Sequence, residues 1–235
     1  MKLHVIYRCC ELDTKLDARP RWFSKLKCLD NLLGVFKYDP QGITKEDEII
    51  LTAVHDGEKG QLHTHLDFCD INIEKINLNS NAGSLQYCLD FAAKLPQTDV
   101  IYFVEDDYLH TDDAFAVLKE GFEVADAINK DNVISLYDHL DRLLRTDDID
   151  FHQTLIRLGN LKYWRTAEST TCTWAISQGL YLDKVYKLAK SFGLQDRELF
   201  RFLRKNHVVL FTPMLGASTH CHEPFLSPFV DWSGV

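Results

Sequence analysis

The chain has 235 residues, enough for one large α/β domain, and 46% of them are hydrophobic, which excludes a disordered or fibrous protein. The formal net charge of −9 gives no global attraction for nucleic acid. No apolar run approaches ~20 residues, so we predict no membrane span. The seven cysteines are scattered and form no CxxC pair. The first residues already have the pattern of a strand and not that of a signal peptide. These features predict a cytoplasmic protein with reduced thiols.

In the first half of the chain, β-rich apolar runs alternate with segments of helical periodicity. The predicted strands are 3–7, 48–54, 70–78 and 101–104, and the predicted helices are 23–36 and 84–95. Ser84 or Asn81 is the expected N-cap of the second helix. Polar or glycine-containing loops follow the strands. This alternation predicts a mostly parallel, doubly wound sheet, because parallel strands need helical crossovers.

In the second half, the predicted strands are 132–137, 170–176 and 207–211, and the predicted helices are 114–127, 179–192 and 196–205. A β-hairpin is expected from 154–158 and 161–165, joined by a two-residue turn at Gly159 and Asn160. Gly193 is expected to end the helix before it. Residues 139–150 read as a charged loop or short helix. The sequence contains no repeat or linker, so we expect residues 1–235 to form a single domain.

Three consecutive acids, Glu105, Asp106 and Asp107, follow the buried strand at 101–104. The carboxyl edge of an α/β sheet is where ligands bind. Adjacent carboxylates repel one another unless a cation neutralises them, and their oxygens suit Mg²⁺ or Mn²⁺. Such ions usually accompany a phosphate-bearing substrate. The alternative is an acidic turn before the next helix.

This order of features resembles the GT-A fold of nucleotide-sugar-dependent glycosyltransferases, in particular their family 2, over residues 3–220. The E-D-D run stands where that family carries its DxD motif. The resemblance implies an α/β fold of the GT-A type, a Rossmann-like, doubly wound mixed sheet. Residues 1–110 would then bind the nucleotide sugar and residues 111–235 the acceptor. The donor contacts that it implies are Tyr7, Arg8, Asp56, Asn81, Gly83, Glu105 and Asp106.

The resemblance also implies a divalent cation, Mn²⁺ or Mg²⁺, on the donor diphosphate. Asp107 is the expected direct ligand, while Glu105 and Asp106 orient the ribose, metal-bound waters or the donor sugar. A late histidine, His220 or His222, would supply a further ligand, and we favour His220. The alternative for this pair is a surface turn.

In inverting members of the family, an acidic residue at a late helix start takes the proton of the acceptor hydroxyl. Asp196 is the corresponding residue here, with Gln195 standing where those members carry Glu. The alternative is an ordinary capping Asp, and the two roles are compatible because the helix dipole keeps such a carboxylate ionised. Glu168 and His139 are the second and third candidates for the base.

The predicted hairpin is where such enzymes usually bind the acceptor. Tyr163, Trp164, Arg165 and Glu168 are the expected contacts, because flat aromatic rings stack on sugars and bases alike. Core packing is the alternative for these rings and for Trp174. The expected acceptor is a surface or lipid-linked glycan, or a hydroxymethylated base of phage DNA. The basic residues that favour DNA are Arg142, Arg145, Arg157, Lys162, Arg165, Arg201, Arg204 and Lys205.

Two other classes stay open at this point. A nucleotidyltransferase also uses strand-end acids and Mg²⁺, although it usually carries a Gly-rich basic loop that residues 8–21 lack. A non-catalytic nucleotide-binding module is the other. The pair His63 and His65 has the spacing of metal ligands, but we interpret it as part of a polar surface loop.

Overall fold

The computed structural model describes residues 1–13, 18–139, 154–171 and 173–235. Its strands, in chain order, are β1 (Lys2–Cys10), β2 (Glu48–Asp56), β3 (Asn72–Ile76), β4 (Val100–Glu105), β5 (Tyr108–His110), β6 (Asn132–Ile134), β7 (Ile156–Leu158), β8 (Tyr163–Ala167), β9 (Trp174–Ser177), β10 (Val209–Met214) and β11 (Ser218–His220). The main helices of the first half are α1 (Lys25–Leu33), α2 (Gln61–Leu66), α3 (Asn81–Ala92) and α4 (Ala114–Asp126). α1 continues into a π-helical turn, Gly34–Tyr38. Later helical segments are Gln178–Leu180, Tyr181–Val185 (π-helical), Tyr186–Phe192, Asp196–Lys205 and the 3₁₀ turn Glu223–Phe225.

Within the described residues, the main sheet has nine strands in the order β3-β2-β1-β4-β9-β6-β10-β8-β7, and β5 pairs separately with β11. β3, β2, β1 and β4 are parallel, and β9 lies antiparallel between β4 and β6. The predicted doubly wound mixed sheet is therefore confirmed. Among the described residues, no helix is long and apolar enough to cross a membrane.

Both faces of β1 are covered by helices, which explains why it reads as a continuous apolar run. Leu3, Val5 and Tyr7 point into a core shared with α1 and α4. Ile6 points to the opposite face and packs in a second core with α3 and the helix Asp196–Lys205. In that helix Phe200 and Leu203 are buried.

Several predicted boundaries are wrong by a few residues. α3 starts at Asn81, because the Ser80 hydroxyl accepts the Gly83 N–H at 3.1 Å and caps the helix. Asn81 and Ser84 therefore lie inside the helix. The third strand is shorter than predicted, the strand predicted at 170–176 is β9, and the strand predicted at 207–211 is β10. Residues 140–150 of the charged segment lie outside the described residues. Gly193 ends its helix with a φ of +57°, as expected.

The hairpin of β7 and β8 has a four-residue connection, since Leu158 pairs with Tyr163, and the prediction of a two-residue turn is wrong. The cause is Glu120 of α4, a buried carboxylate. It accepts the N–H groups of Leu161 at 2.6 Å and Lys162 at 3.0 Å and the indole N–H of Trp164 at 2.9 Å. At Gly159 a Cβ would lie 2.4 Å from this carboxylate, so a larger residue there would displace the Glu120 side chain.

We expect Glu120→Ala to destabilise the protein by about 3 kcal/mol, because it leaves one buried and two partly buried donors without an acceptor. Glu123→Ala on the same helix is the matched control, since Glu123 is exposed and its removal should change stability by less than about 0.5 kcal/mol. Urea unfolding of the two variants measures the difference. Equal stabilities would show that Glu120 does not hold the connection.

Candidate active site

A cavity of about 570 Å³ opens at the carboxyl ends of β1, β2 and β4. These strands are parallel neighbours, so the residues that follow them meet at one edge of the sheet. The cavity is lined by most of the predicted donor-binding and metal-binding residues, namely Arg8, Asp56, Asn81, Glu105, Asp106 and Asp107.

Each acid of the triplet is paired with a basic side chain from a distant part of the chain. Arg8 bonds Glu105, Lys25 lies 2.8 Å from Asp106, and Arg19 lies 2.9 Å from Asp107. The sequence predicts that a bound cation neutralises the repulsion between these carboxylates. In the fold, three basic side chains already pair with them. Sequence reasoning missed Lys25 and Arg19, because a lysine in a helix and an arginine in a polar loop carry no signal of such a role.

Asp107 is buried and lies in the turn between β4 and β5. Its Oδ2 contacts His220 Nε2 at 3.0 Å and Arg19 Nη2 at 2.9 Å. The β5–β11 pairing places His220 beside this turn. Burial raises the pKa of Asp107, but His220 and Arg19 outweigh it and hold that pKa well below its usual range. The other oxygen, Oδ1, is buried and has no hydrogen-bond partner within the described part of the chain.

Asp106 accepts from the Cys10 backbone N–H at 2.9 Å and from Lys25. Burial, opposed by Lys25 and reinforced by the charge of Asp107, raises the pKa of Asp106 to about 6. The Lys25 ammonium also donates to the carbonyls of Cys10 at 2.8 Å and Leu12 at 2.6 Å. Lys25 thus ties the end of β1 and the following loop to the acidic turn.

Arg8 and Asp56 organise the turn that leads into α3. Arg8 donates to Asn81 and to the Ser84 hydroxyl as well as to Glu105. The Asp56 carboxylate accepts three backbone N–H groups, from Leu78 at 2.6 Å, Asn79 at 2.9 Å and Ser80 at 3.1 Å. Asp56 also lines the cavity, and its predicted contact with the nucleotide-sugar donor stays a prediction.

Two predicted donor contacts do not line the cavity. Tyr7 is fully buried, because the alternation of β1 turns its ring into the core with α1 and α4, and a direct contact with the donor is wrong for this residue. Gly83 lies in the first turn of α3, where its N–H serves the Ser80 cap.

The predicted surface location is wrong for His63, which is buried in α2 with its ring 4.9 Å from that of His55. The Glu11 carboxylate accepts the N–H groups of Leu62 and His63 at the start of this helix. Because Glu11 and residues 57–60 line the cavity, this arrangement fixes its rim. His65 is more exposed and pairs with Asp30 at 2.8 Å.

The predicted acceptor contacts are mostly in the core. Trp164 is fully buried and bonds Glu120, and Trp174 is buried in the second core, so neither ring can stack on a ligand. Arg165 is buried in an ion pair with Asp138. The prediction fails for Trp164 and Arg165 because β8 lies inside the sheet, between β7 and β10. Only Tyr163 of this group, at 57% exposure, presents its side chain to solvent.

The remaining predicted residues that the structure describes do not line this cavity. Glu168 is half-buried just after β8, and His139 contacts the Pro224 carbonyl at 3.3 Å. Lys162 lies 3.4 Å from Asp113, and Arg142 and Arg145 lie outside the described residues. Asp196 is the first residue of its helix and does not line the described cavity. This helix leads into β10, which runs in the same direction as β4, so its amino end points toward the carboxyl edge of the sheet.

The described residues contain no group of three or more His, Cys, Asp and Glu side chains that could hold a metal by themselves. The cavity nevertheless suits a cation that takes some of its coordinating atoms from the protein and the others from a bound ligand. Its lining has seven acidic and four basic side chains, and Asp107 contributes a buried oxygen with no described partner. A diphosphate entering this excess of negative charge would be repelled without a divalent ion.

The fold and the strand-end cavity define a GT-A-type α/β domain. No family model and no curated protein matches the sequence. Among solved structures, the chain is similar to S. aureus TarS, a GT-A-type glycosyltransferase, with a TM-score of 0.53 and 13% identity over 93% of this chain. It spans 36% of the TarS chain. It is also similar to a nucleotidyl transferase from Methanothermobacter thermautotroptrophicus, with a TM-score of 0.50 and 10% identity over 90% of this chain and 86% of the other. At these identities the likeness shows the fold alone.

Proposed function

We propose that this protein is a nucleotide-sugar-dependent glycosyltransferase. The observation that carries the proposal is the buried Asp107, which lines the strand-end cavity and has one paired oxygen and one without a partner in the described residues. An ionised carboxylate with an oxygen that has no hydrogen-bond partner in the described residues suits a divalent cation. The GT-A-type fold and the likeness to TarS support the same class of reaction.

Asp107 and the adjacent His220 would hold Mn²⁺ or Mg²⁺ together with the donor diphosphate. The ion would supply the positive charge that stabilises the leaving diphosphate. Arg8 and Lys25 hold Glu105 and Asp106 at the cavity, and these two carboxylates would orient the ribose, the metal-bound waters or the donor sugar. Asp56 and residues 57–60 would enclose the base.

Asp196 is our candidate for the general base. A carboxylate at the first position of a helix stays ionised because the helix dipole favours negative charge there. It would take the proton from the acceptor hydroxyl while the oxygen attacks the donor sugar from the face opposite the diphosphate, which inverts the anomeric configuration. Glu168 is the second candidate.

A nucleotidyl transferase is the alternative that a specific observation favours. The chain covers 86% of such an enzyme in the structural comparison, and Lys25 and Arg19 bring basic groups to the acids. The products separate the two functions. A glycosyltransferase releases a nucleoside diphosphate from a nucleotide sugar, whereas a nucleotidyltransferase releases pyrophosphate from a nucleoside triphosphate and a sugar phosphate.

The test is a panel of nucleotide sugars, incubated with the protein and Mn²⁺, Mg²⁺ or EDTA, with release of nucleoside diphosphate as the readout. We expect release from at least one donor, only with the ion present. In a parallel reaction with a nucleoside triphosphate and a sugar phosphate, release of pyrophosphate would favour nucleotidyl transfer. Binding without any turnover would identify a non-catalytic module.

A further inference from the structure

An aromatic ladder leads from Asp107 to the protein surface. The His220 ring, whose Nε2 contacts Asp107, stacks on Tyr108 with centroids 5.3 Å apart and 1° between the planes. The same His220 ring also lies 5.9 Å from the Phe225 ring, with 20° between their planes. Phe225 ends the ladder and is 41% exposed, although it is large and apolar. The ladder therefore places an exposed aromatic ring two steps from the candidate metal ligand.

The Phe225 ring is held in place from several sides. His222 and His139 pack against it with centroids 4.8 and 5.1 Å away. Its backbone is fixed as well, since its N–H donates to the His222 carbonyl at 2.7 Å and its carbonyl accepts from the Tyr137 hydroxyl at 2.7 Å. A ring that is already immobilised loses little conformational entropy when a ligand stacks on it.

The C-terminal segment that carries this ring favours a neutral partner over a phosphate-bearing one. The chain contains no Lys or Arg after Lys205, and the exposed Glu223 lies two residues before Phe225. A DNA or lipid phosphate held here would find no counter-charge in this segment. A neutral sugar ring has no such requirement, and its C–H groups suit the negative face of an aromatic ring.

The geometry points to Phe225 as the platform on which the sugar ring of a neutral glycan acceptor stacks. This inference rests on the proposed function, because it places the acceptor two side-chain contacts from Asp107, which lines the donor cavity. It also moves the acceptor contact from the hairpin, where Trp164 and Arg165 are buried, to the segment that carries His220. Phe225 determines acceptor specificity and is not a catalytic residue.

The test uses the full chain and a panel of neutral methyl glycosides, with saturation-transfer NMR for binding and nucleoside diphosphate release for turnover. We expect wild type and Phe225→Trp to transfer saturation to sugar C–H protons. Phe225→Ala and Phe225→Leu should weaken glycoside binding and raise the acceptor KM at least tenfold, while the donor KM changes less than twofold. Leu keeps an apolar contact but removes the aromatic face, so it separates stacking from packing.

Phe229→Ala is the control, since Phe229 is 78% exposed on the same segment but has no part in the ladder, and it should bind glycosides like wild type. Unchanged glycoside affinity in Phe225→Ala would overturn the inference, as would a wild-type protein that binds no glycoside or binds duplex DNA through Phe225. Donor turnover by wild type is read separately. If the wild type does not turn over any donor, the proposed function is contradicted. If it does, and Phe225→Ala binds glycosides as well as wild type, only the role of Phe225 is contradicted.

Discussion

Replacing Asp107 by Ala is expected to abolish the Mn²⁺-dependent binding of a nucleoside diphosphate, with a loss of roughly 10²-fold or more. Changing residues that merely support a metal ligand typically costs 10- to 100-fold, so losing the ligand itself should cost at least as much. Isothermal calorimetry with and without Mn²⁺ measures the effect directly. The loss should be confined to the ion-dependent part of the affinity.

Two further variants make the Asp107 result interpretable. Asp107→Asn keeps the shape of the side chain but removes its charge, and it should lose the same ion-dependent binding. Glu58→Ala removes an exposed acid from the rim of the same cavity and should leave most of the affinity in place. Full Mn²⁺-dependent affinity in both Asp107 variants, with the fold intact, would refute the assignment of this residue to the metal.

Asp196→Asn should lower turnover by ~10² or more, the usual contribution of a general base, while nucleotide binding stays close to that of wild type. Asn has nearly the shape of Asp, so the start of the helix should form as before. The lost interaction with the helix dipole costs only about 0.3–1 kcal/mol. Single-turnover kinetics with a saturating donor separates the chemical step from binding.

Glu198→Gln is the matched control for Asp196, because Glu198 is an exposed acid in the first turn of the same helix. It removes the same charge from the helix start and should leave turnover nearly unchanged. Near-normal turnover in Asp196→Asn would move the base to Glu168, which should then show the loss on replacement by Gln.

The sequence was sufficient for the parallel half of the sheet and for the acidic turn. Buried parallel strands are uniformly apolar, and their ends are marked by polar residues such as Arg8 and Asp56. The pairing of the acids could not be predicted in this way. Lys25 and Asp106 are 81 residues apart, and only the packing of α1 against the strands brings them together.

For the predicted acceptor contacts, the sequence could not show which side chains are exposed. Trp164 and Tyr163 are neighbours with similar chemistry, yet one is fully buried and the other is 57% exposed. Which of them faces solvent depends on the register of β8 against β10 and on Glu120, and neither can be read from the residue types. Phe225 was overlooked because its segment has no periodic pattern, and its contact with the His220 ring is made only in the folded chain.

The three acid–base pairs of the active site restrict which substitutions the site can accept during evolution. Arg8 with Glu105, Lys25 with Asp106 and Arg19 with Asp107 are pairs of partly or fully buried charges, and losing one partner leaves the other uncompensated. A descendant that replaces Lys25 with a neutral residue should therefore also replace Asp106. These positions are expected to change in pairs across homologues, so that substitutions at residues far apart in the sequence would be inherited together.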